Sequence, residues 1–516
     1  MEASSRESRT HKSIKNSVVA LTMFCFNIGL QFFSRKIFLD YLGTEVLGLN
    51  TTADNLLQFL NLAELGIGSA VAFALFKPLA ENDRGTINEI IAIMGWLYRK
   101  IAYFIIAGAV LLMFFFPLIF RKINLPFWYT YASFGVLSFS ALLGYFVNYR
   151  QVLLTADQKE YKIQFAYRLV MIIKVMCQMT AVYLLPNGYI WWLVLEFLFA
   201  IISSICINLT VKKTYPYLNR IRIDRHLIKS KYSILVKKIK QLFFHRIGGF
   251  VLTQTSPLII YAYTTLTVVA LYGNYLLVTN GVYGLLNAVF NSMAAGVGNL
   301  VASADKSRVM QVFRELFSIR FVLIWSLCLT LYLVTPEFII VWIGKEYLLP
   351  QSTLLLMIGI FYVMTSRLTV DAFINGYGLF GDVWSPLVEG TINISLSIFL
   401  GAHYGLNGIV CGVLTSLVVS MIIWKPYYLF TRELKGYYKQ YIVDYIKHLA
   451  AGAIVAYGVI MPVRHIHTAT CSNLFELAGY AGIIMAISIV ETGVMLLIFR
   501  TGLRYFIDRI IRRNRV

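Results

Sequence analysis

Apolar runs of twenty residues or more recur along this chain, and each is long enough to carry a helix through the hydrocarbon of a bilayer. Such runs begin near Ser17, Leu49, Gly95, Phe127, Phe165 and Tyr189, again near Leu242, Leu266, Phe321, Thr353, Val383 and Leu406, and finally near Leu449 and Leu474. Lipid offers no partner to a bare backbone N–H or C=O, so only helices or closed barrels span it. Barrel strands would read as alternating segments of about ten residues, whereas these runs are unbroken. Only 14% of the 516 residues are charged, against roughly a quarter in soluble proteins, too few to coat several soluble domains. The chain reads as an all-α integral membrane protein with about fourteen transmembrane helices. One boundary is ambiguous: Gly401–Gly408 suits either a turn between two spans or a break within one.

The cations orient these runs. With the amino terminus cytoplasmic, about 38 of the 46 lysines and arginines fall on the cytoplasmic side. Arg121, Lys122, Lys345 and Arg464 fall in the opposite loops, and Arg35, Lys36, Lys174 and Arg367 stay within spans. An even number of spans with both termini cytoplasmic follows. The net charge of +21 is thereby explained by topology and needs no nucleic acid. The longest basic run, Lys212 to Arg246, links the sixth and seventh spans and suits anionic headgroups. His245 and Arg246, near a helix end, read as interfacial. The six cysteines (Cys25, Cys177, Cys206, Cys328, Cys411, Cys471) are scattered without a CxxC pair, so packing is expected of them, not a metal site or disulfides. The first run follows a basic tail (Arg6, Arg9, Lys12, Lys15) and is long enough to remain as a span, so no cleaved signal peptide is expected.

A weak internal repeat sets the organisation. Leu65-Gly66-Ile67-Gly68-Ser69-Ala70-Val71-Ala72 ends the second span before Lys77, and Ala295-Gly296-Val297-Gly298-Asn299-Leu300-Val301-Ala302 ends the eighth before Lys306. An even number of spans separates the copies, which makes them parallel, related by an axis along the membrane normal. Two pseudo-symmetric six-helix lobes plus two C-terminal helices are expected, the plan of an alternating-access transporter. The boundaries are residues 1–211 for the tail and first lobe, 212–241 for the basic linker, 242–430 for the second lobe and 431–516 for the last two helices and basic tail.

No P-loop, dinucleotide fingerprint, HExxH or nucleophile elbow stands in a supporting context, so neither catalytic residues nor a cofactor are expected. Attention falls on ionisable groups at mid-depth, where a charge costs several kcal/mol. Lys174 lies about twelve residues, roughly 18 Å, from either end of its span. Arg367 is equally central between Pro350 and Asp382. These cations suit an anionic substrate, the arginine especially, because its planar fork binds phosphate oxygens in pairs. Against this, Asp371 stands four residues from Arg367 on the same helix face. Arg35 and Lys36 either snorkel to headgroups or line a cavity. Glu64 could partner a cation or carry a proton, while Glu196, Glu389 and Glu491 lie closer to span ends. Asn274, Asn280, Asn287 and Asn291 make the eighth span polar, either toward a wet cavity or toward neighbouring helices.

Several segments carry a resemblance. Tyr41-Leu42-Gly43-Thr44-Glu45-Val46-Leu47-Gly48-Leu49-Asn50 with Leu62-Ala63-Glu64-Leu65-Gly66-Ile67-Gly68-Ser69-Ala70, Leu271-Tyr272-Gly273-Asn274-Tyr275 running on to Gly296-Val297-Gly298-Asn299-Leu300-Val301, and Gly376-Tyr377-Gly378-Leu379-Phe380 with Ile392-Asn393-Ile394-Ser395-Leu396-Ser397 together resemble bacterial polysaccharide flippases. These belong to the multidrug/oligosaccharidyl-lipid/polysaccharide exporter superfamily. The resemblance runs in order over nearly the whole chain. It implies a flippase, not an enzyme, for undecaprenyl-pyrophosphate-linked oligosaccharides of O-antigen, lipopolysaccharide or capsule, in a bacterial cytoplasmic (inner) membrane. It also implies that central cations, here Arg35 and Arg367, hold the pyrophosphate. The partners it implies are that lipid-linked substrate, membrane lipids and other polysaccharide-assembly proteins. The alternatives are a proton- or sodium-coupled multidrug exporter of the same superfamily and a membrane-embedded glycan polymerase or ligase. The first should show unpaired carboxylates in its cavity, and the second needs a larger external loop than this chain offers.

Overall fold

The computed structural model describes residues 9–64, 67–157, 159, 161–219, 255–379, 381–382, 384–466 and 471–513. Every regular element among them is helical. Eight of these helices are long and apolar enough to cross a bilayer, and the pair Trp128–Phe146 and Asn148–Ala156, bent by 57°, qualifies as one more span. The expected start of the seventh span near Leu242, and His245 and Arg246, lie outside the described residues. The chain divides into two compact units, residues 1–53 with 68–235 and residues 54–67 with 236–516.

The helix Arg9–Leu60, most of which belongs to the first unit, takes in the first expected span and the first half of the second and has a non-helical residue at Gly43. That residue has φ 81°, a conformation side chains disfavour and glycine adopts freely. The bend after Phe146 is closed by polar contacts: the Asn148 carboxamide oxygen accepts from Ser204 Oγ at 2.8 Å and Asn208 Nδ2 at 3.0 Å. Asn50 is held likewise, its oxygen accepting from Ser133 Oγ (2.6 Å) and the Tyr189 hydroxyl (2.8 Å). In lipid such bonds tie helices together because water cannot compete for them.

The second unit settles the ambiguous boundary. The helical stretch Ser385–Leu417 is interrupted at Gly405 (φ 55°, ψ −133°). Ser397 Oγ donates to the Ile409 carbonyl at 3.2 Å, and a Cβ on Gly412 would stand 2.6 Å from the Ser397 nitrogen. Residues before and after Gly405 therefore face each other, so the chain reverses there and two antiparallel helices result. The arm from Ser385 to the turn has about twenty residues, roughly 30 Å, which matches the hydrocarbon thickness.

The last two spans, Tyr438–Ile466 and Leu474–Ile498, pack on the long helix Lys306–Trp342. Leu329 joins Val455, Val459 and Ile484 in one apolar cluster, and Trp325 Nε1 donates to the Gly452 carbonyl at 2.9 Å. Arg314 grips Asp444 through two nitrogens (2.5 and 3.1 Å). His448 Nδ1 lies 2.6 Å from the Asp444 carbonyl, which only accepts, so Nδ1 carries the hydrogen and Nε2 accepts from Ser318 at 2.8 Å. Each repeat segment found in the sequence opens a short helix behind a break. Ile67–Ala80 follows the 3₁₀ turn Asn61–Glu64, and Ala294–Ser303 follows Leu266–Ser292 across Met293. The next helix is capped by aspartate in both cases: Asp83 accepts from Thr86 N at 3.0 Å, Asp305 from Arg308 N at 3.4 Å, a standard answer to the free N–H groups of a helix start.

Candidate functional site

In the second unit, Arg367 sits on helix Gln351–Gly376, nine residues and so about 14 Å before its end. Asp371, one turn on, stands 3.7 Å from Arg367 Nε, a contact too long for a hydrogen bond. The stronger claim on Asp371 comes from Lys425, whose Nζ is 2.6 Å away. Lys425 opens the short helix Lys425–Arg432 at the end of a π-helical stretch, Val418–Trp424. Arg367 Nη1 touches the Met421 sulfur at 3.5 Å, and its Nε has no hydrogen-bond partner. The Tyr283 side chain also hydrogen-bonds Arg367, and Glu389 lies within electrostatic reach. Glu389 is 2% exposed, with one oxygen unpartnered. Lys425 thus occupies the carboxylate that would otherwise silence Arg367, and the guanidinium keeps its Nε donor unused. Local neutralisation of Arg367 by Asp371, the competing reading of the sequence, is only partial.

Lys174 differs. In the first unit its Nζ contacts both oxygens of Glu196, at 2.9 and 3.0 Å. Gln178 Nε2 completes the triad, 3.0 Å from Glu196 Oε2 and 3.2 Å from the Trp192 carbonyl. The deepest cation of the sequence is therefore a paired one, joining helix Tyr161–Leu184 to helix Gly188–Thr214. Arg35 is half-buried on the first helix, and the neighbouring Lys36 reaches Asp40 at 3.6 Å in a largely exposed pair. Glu64 closes the 3₁₀ turn that breaks the second span and is partly exposed.

The asparagines of helix Leu266–Ser292 do not form one face. Asn274 is fully buried, Asn287 half-buried and Asn280 exposed. At 100° per residue Asn280, Asn287 and Asn291 share one side and Asn274 points to the other, although the Asn291 side chain lies outside the described residues. Asn274 thus belongs to packing between helices, not to a shared wet stripe.

The sequence also passed over Arg320. It is 3% exposed, and no ion pair to it is found among the described residues. Its guanidinium donates to the Phe290 carbonyl at 3.3 Å and the Thr369 hydroxyl at 3.4 Å, and lies 4.5 Å above the Phe290 ring. Phe290 stands just before the break at Met293, where a helix leaves carbonyls unpaired and carries partial negative charge. Arg320 answers both. No metal-binding cluster of histidine, cysteine or carboxylates occurs among the described residues.

No family model matches the sequence, and no curated protein does. Solved structures do match. The lipid II flippase MurJ in its inward closed conformation aligns over 94% of this chain and 99% of its own, with 14% identity and a TM-score of 0.64. A multidrug resistance MATE family transporter of the MOP superfamily, in an inward-facing conformation, aligns over 81% of this chain and 99% of its own, with 13% identity and a TM-score of 0.56. The chain therefore has the all-helical membrane-transporter fold that these two proteins share, and about fourteen transmembrane helices accord with it.

Proposed function

We propose that this protein is a flippase that moves undecaprenyl-pyrophosphate-linked oligosaccharides across a bacterial cytoplasmic membrane for surface polysaccharide assembly, with both termini on the cytoplasmic side. The observation that carries this reading is Arg367: a half-buried guanidinium whose Nε has no hydrogen-bond partner, kept available because Lys425 holds Asp371. A diphosphate offers paired oxygens to such a fork, while its polyprenyl tail can stay in lipid. The fold likeness supports it, since the alignment with a lipid flippase takes in more of this chain than that with the multidrug transporter. Arg35 is the candidate diphosphate ligand of the first unit. Lys174, already held by Glu196, is assigned to the internal tie. Glu64 and the Asn291 side of the eighth span are candidate contacts for the polar head of the substrate. In this reading residues 1–211 and 242–430 act as the two lobes of the transport cycle.

The test is display of surface polysaccharide in a strain that depends on this gene, at matched protein levels. Arg367→Ala is expected to lower display about tenfold or more, since a lost hydrogen bond to a charged group costs roughly 1.5–3 kcal/mol, and Arg367→Lys should recover only part. Undiminished display by Arg367→Ala would remove the reading. One observation favours an ion-coupled multidrug exporter instead, the buried carboxylate of Glu389 with an unpartnered oxygen. That reading requires Glu389→Gln to abolish drug tolerance and leave polysaccharide display intact.

A further inference from the structure

We propose that the carboxy-terminal helix Gly502–Arg513 lies on the bilayer surface and binds anionic phospholipid headgroups, clamped along one side to the second unit. Three features of this helix lead there, and none depends on which substrate is carried.

The first is an elbow. The last span, Leu474–Ile498, ends in a tight cap in which Phe499 N bonds the Met495 carbonyl (2.9 Å) and Thr501 N bonds that of Leu496 (3.1 Å). The Thr501 hydroxyl reaches the same carbonyl at 3.1 Å. Arg500 takes the left-handed position between them, φ 53°, which glycine usually fills at a helix end. The chain therefore leaves the direction of the span abruptly.

The second is the clamp. Gly502 lies so close to the Arg314 carbonyl that any Cβ would overlap it, and that Cβ would also meet Ser318. The Arg314 guanidinium sits 5.0 Å over the Tyr505 ring, and Arg509 Nη2 is 2.9 Å from Glu315 Oε2. The helix beyond the elbow is therefore held against helix Lys306–Trp342 between Arg314 and Phe321.

The third is the division of its surface. At 100° per residue, Leu503, Phe506, Ile507 and Ile511 fall within an arc of about 140°, and Arg504, Asp508 and Arg509 lie outside it. Leu503 packs on the cluster of Phe321, Ala451 and Leu496, but Ile511 is 47% exposed, so the apolar arc extends beyond what protein covers. Arg504 and Asp508 are exposed. The helix supplies four arginines (Arg504, Arg509, Arg512, Arg513) against one aspartate, a net +3. Apolar residues turned to acyl chains beside arginines turned to phosphates is the arrangement of an interfacial helix. The excess of cations selects an anionic surface over a neutral one, by roughly fivefold per cation near the membrane.

The full-length protein in nanodiscs tests this by hydrogen–deuterium exchange of the amides from Leu503 to Arg513. In discs containing phosphatidylglycerol, exchange should be at least about tenfold slower than in phosphatidylcholine alone, and high salt should erase the difference. The triple variant Arg504→Gln, Arg512→Gln, Arg513→Gln keeps the Arg509 clamp and should lose the lipid dependence. Glu315→Gln frees the clamp, so protection should fail in phosphatidylcholine and persist with phosphatidylglycerol. Equal exchange in the two lipids, or lipid dependence retained by the triple variant, would overturn the proposal.

Discussion

The ammonium of Lys174 sits between the two oxygens of Glu196, while the guanidinium of Arg320 has a helix-end carbonyl, a hydroxyl and a ring. Arg320 also touches the Met293 sulfur at 3.8 Å but, among the described residues, pairs with no anion, so the two environments predict opposite responses to removal of charge. Lys174→Met should cost about 3–5 kcal/mol, because it strands a buried carboxylate, and adding Glu196→Gln should restore most of the loss in thermal melting of the purified protein. Arg320→Met should change the melting temperature little or raise it, since no anion is abandoned and Phe290 O keeps the Met293 N–H at 3.3 Å. A large drop would show that the charge itself holds the break. Outside the spans, Asp157 receives Lys159 (2.7 Å) and the Tyr215 hydroxyl (2.7 Å). Burial pushes its carboxyl up, but those hydrogen bonds outweigh burial and hold it below the ordinary carboxylate value. Burial, then the bond to Asp157, pushes the Tyr215 phenol up. A lowered carboxyl stabilises the fold above the unfolded value near 4 and ceases to as pH falls through the folded value. A raised phenol loses its contribution as pH climbs beyond about 10. Asp157→Asn should accordingly flatten the acid limb of a stability-versus-pH curve. The depth of Lys174 and Arg367 was legible because counting residues along one helix suffices. The partner of Lys174 was not, since pairing Lys174 with Glu196 requires the register of a helical hairpin. Arg320 was missed because it stands next to Phe321, where the apolar run begins, and so read as a topology charge.

At the level of elements, sequence hydrophobicity located spans well and breaks poorly. The start near Tyr189 agrees with helix Gly188–Thr214, and that near Leu266 with Leu266–Ser292. The start near Leu49, by contrast, falls six residues after the break at Gly43, because polar residues and span limits need not coincide with backbone turns. Helix Lys306–Trp342 begins about four turns before Phe321, since charged residues (Lys306, Arg308, Arg314, Glu315, Arg320) lower the hydropathy of a stretch that is nevertheless largely packed inside the protein. At the Gly405 turn, hydropathy had no preference, and the close approach of Gly412 to Ser397 decides it. Gly412→Leu should push the two arms apart and cost several kcal/mol, as overpacking of backbone against backbone cannot be relieved by a rotamer. The measurement is the fraction of protein that remains monodisperse after extraction. Normal yield would mean that the arms do not pack as described.

For the molecule as a whole, the proposed cargo carries negative charge outward, which runs with an inside-negative potential by about 2.3 kcal/mol per charge per 100 mV. Proteoliposomes with an imposed potassium diffusion potential should flip the lipid-linked substrate faster when the compartment of origin is negative. Indifference to the sign of the potential would argue that the charge crosses neutralised. The fold class was legible in the sequence because lipid leaves a helical chain so few alternatives. The substrate was not, because sugars are recognised by scattered polar groups that no spacing rule reveals.

One repeat glycine of the second unit, Gly298, has a mechanical meaning together with Gly376. A Cβ at Gly376 would stand 3.7 Å from the Gly298 Cα, between the side chains of Val297 (3.7 Å) and Val301 (3.5 Å), so the end of one span seats bare backbone in a shallow notch of the short helix Ala294–Ser303. Interlocked side chains resist sliding because every tooth must clear its groove. A glycine seated between Val297 and Val301 leaves the least to clear, at the edge of the cluster that Val297 shares with Phe313 and Phe373. Fitting a tooth there, with Gly376→Leu, should slow turnover more than it reduces the amount of folded protein.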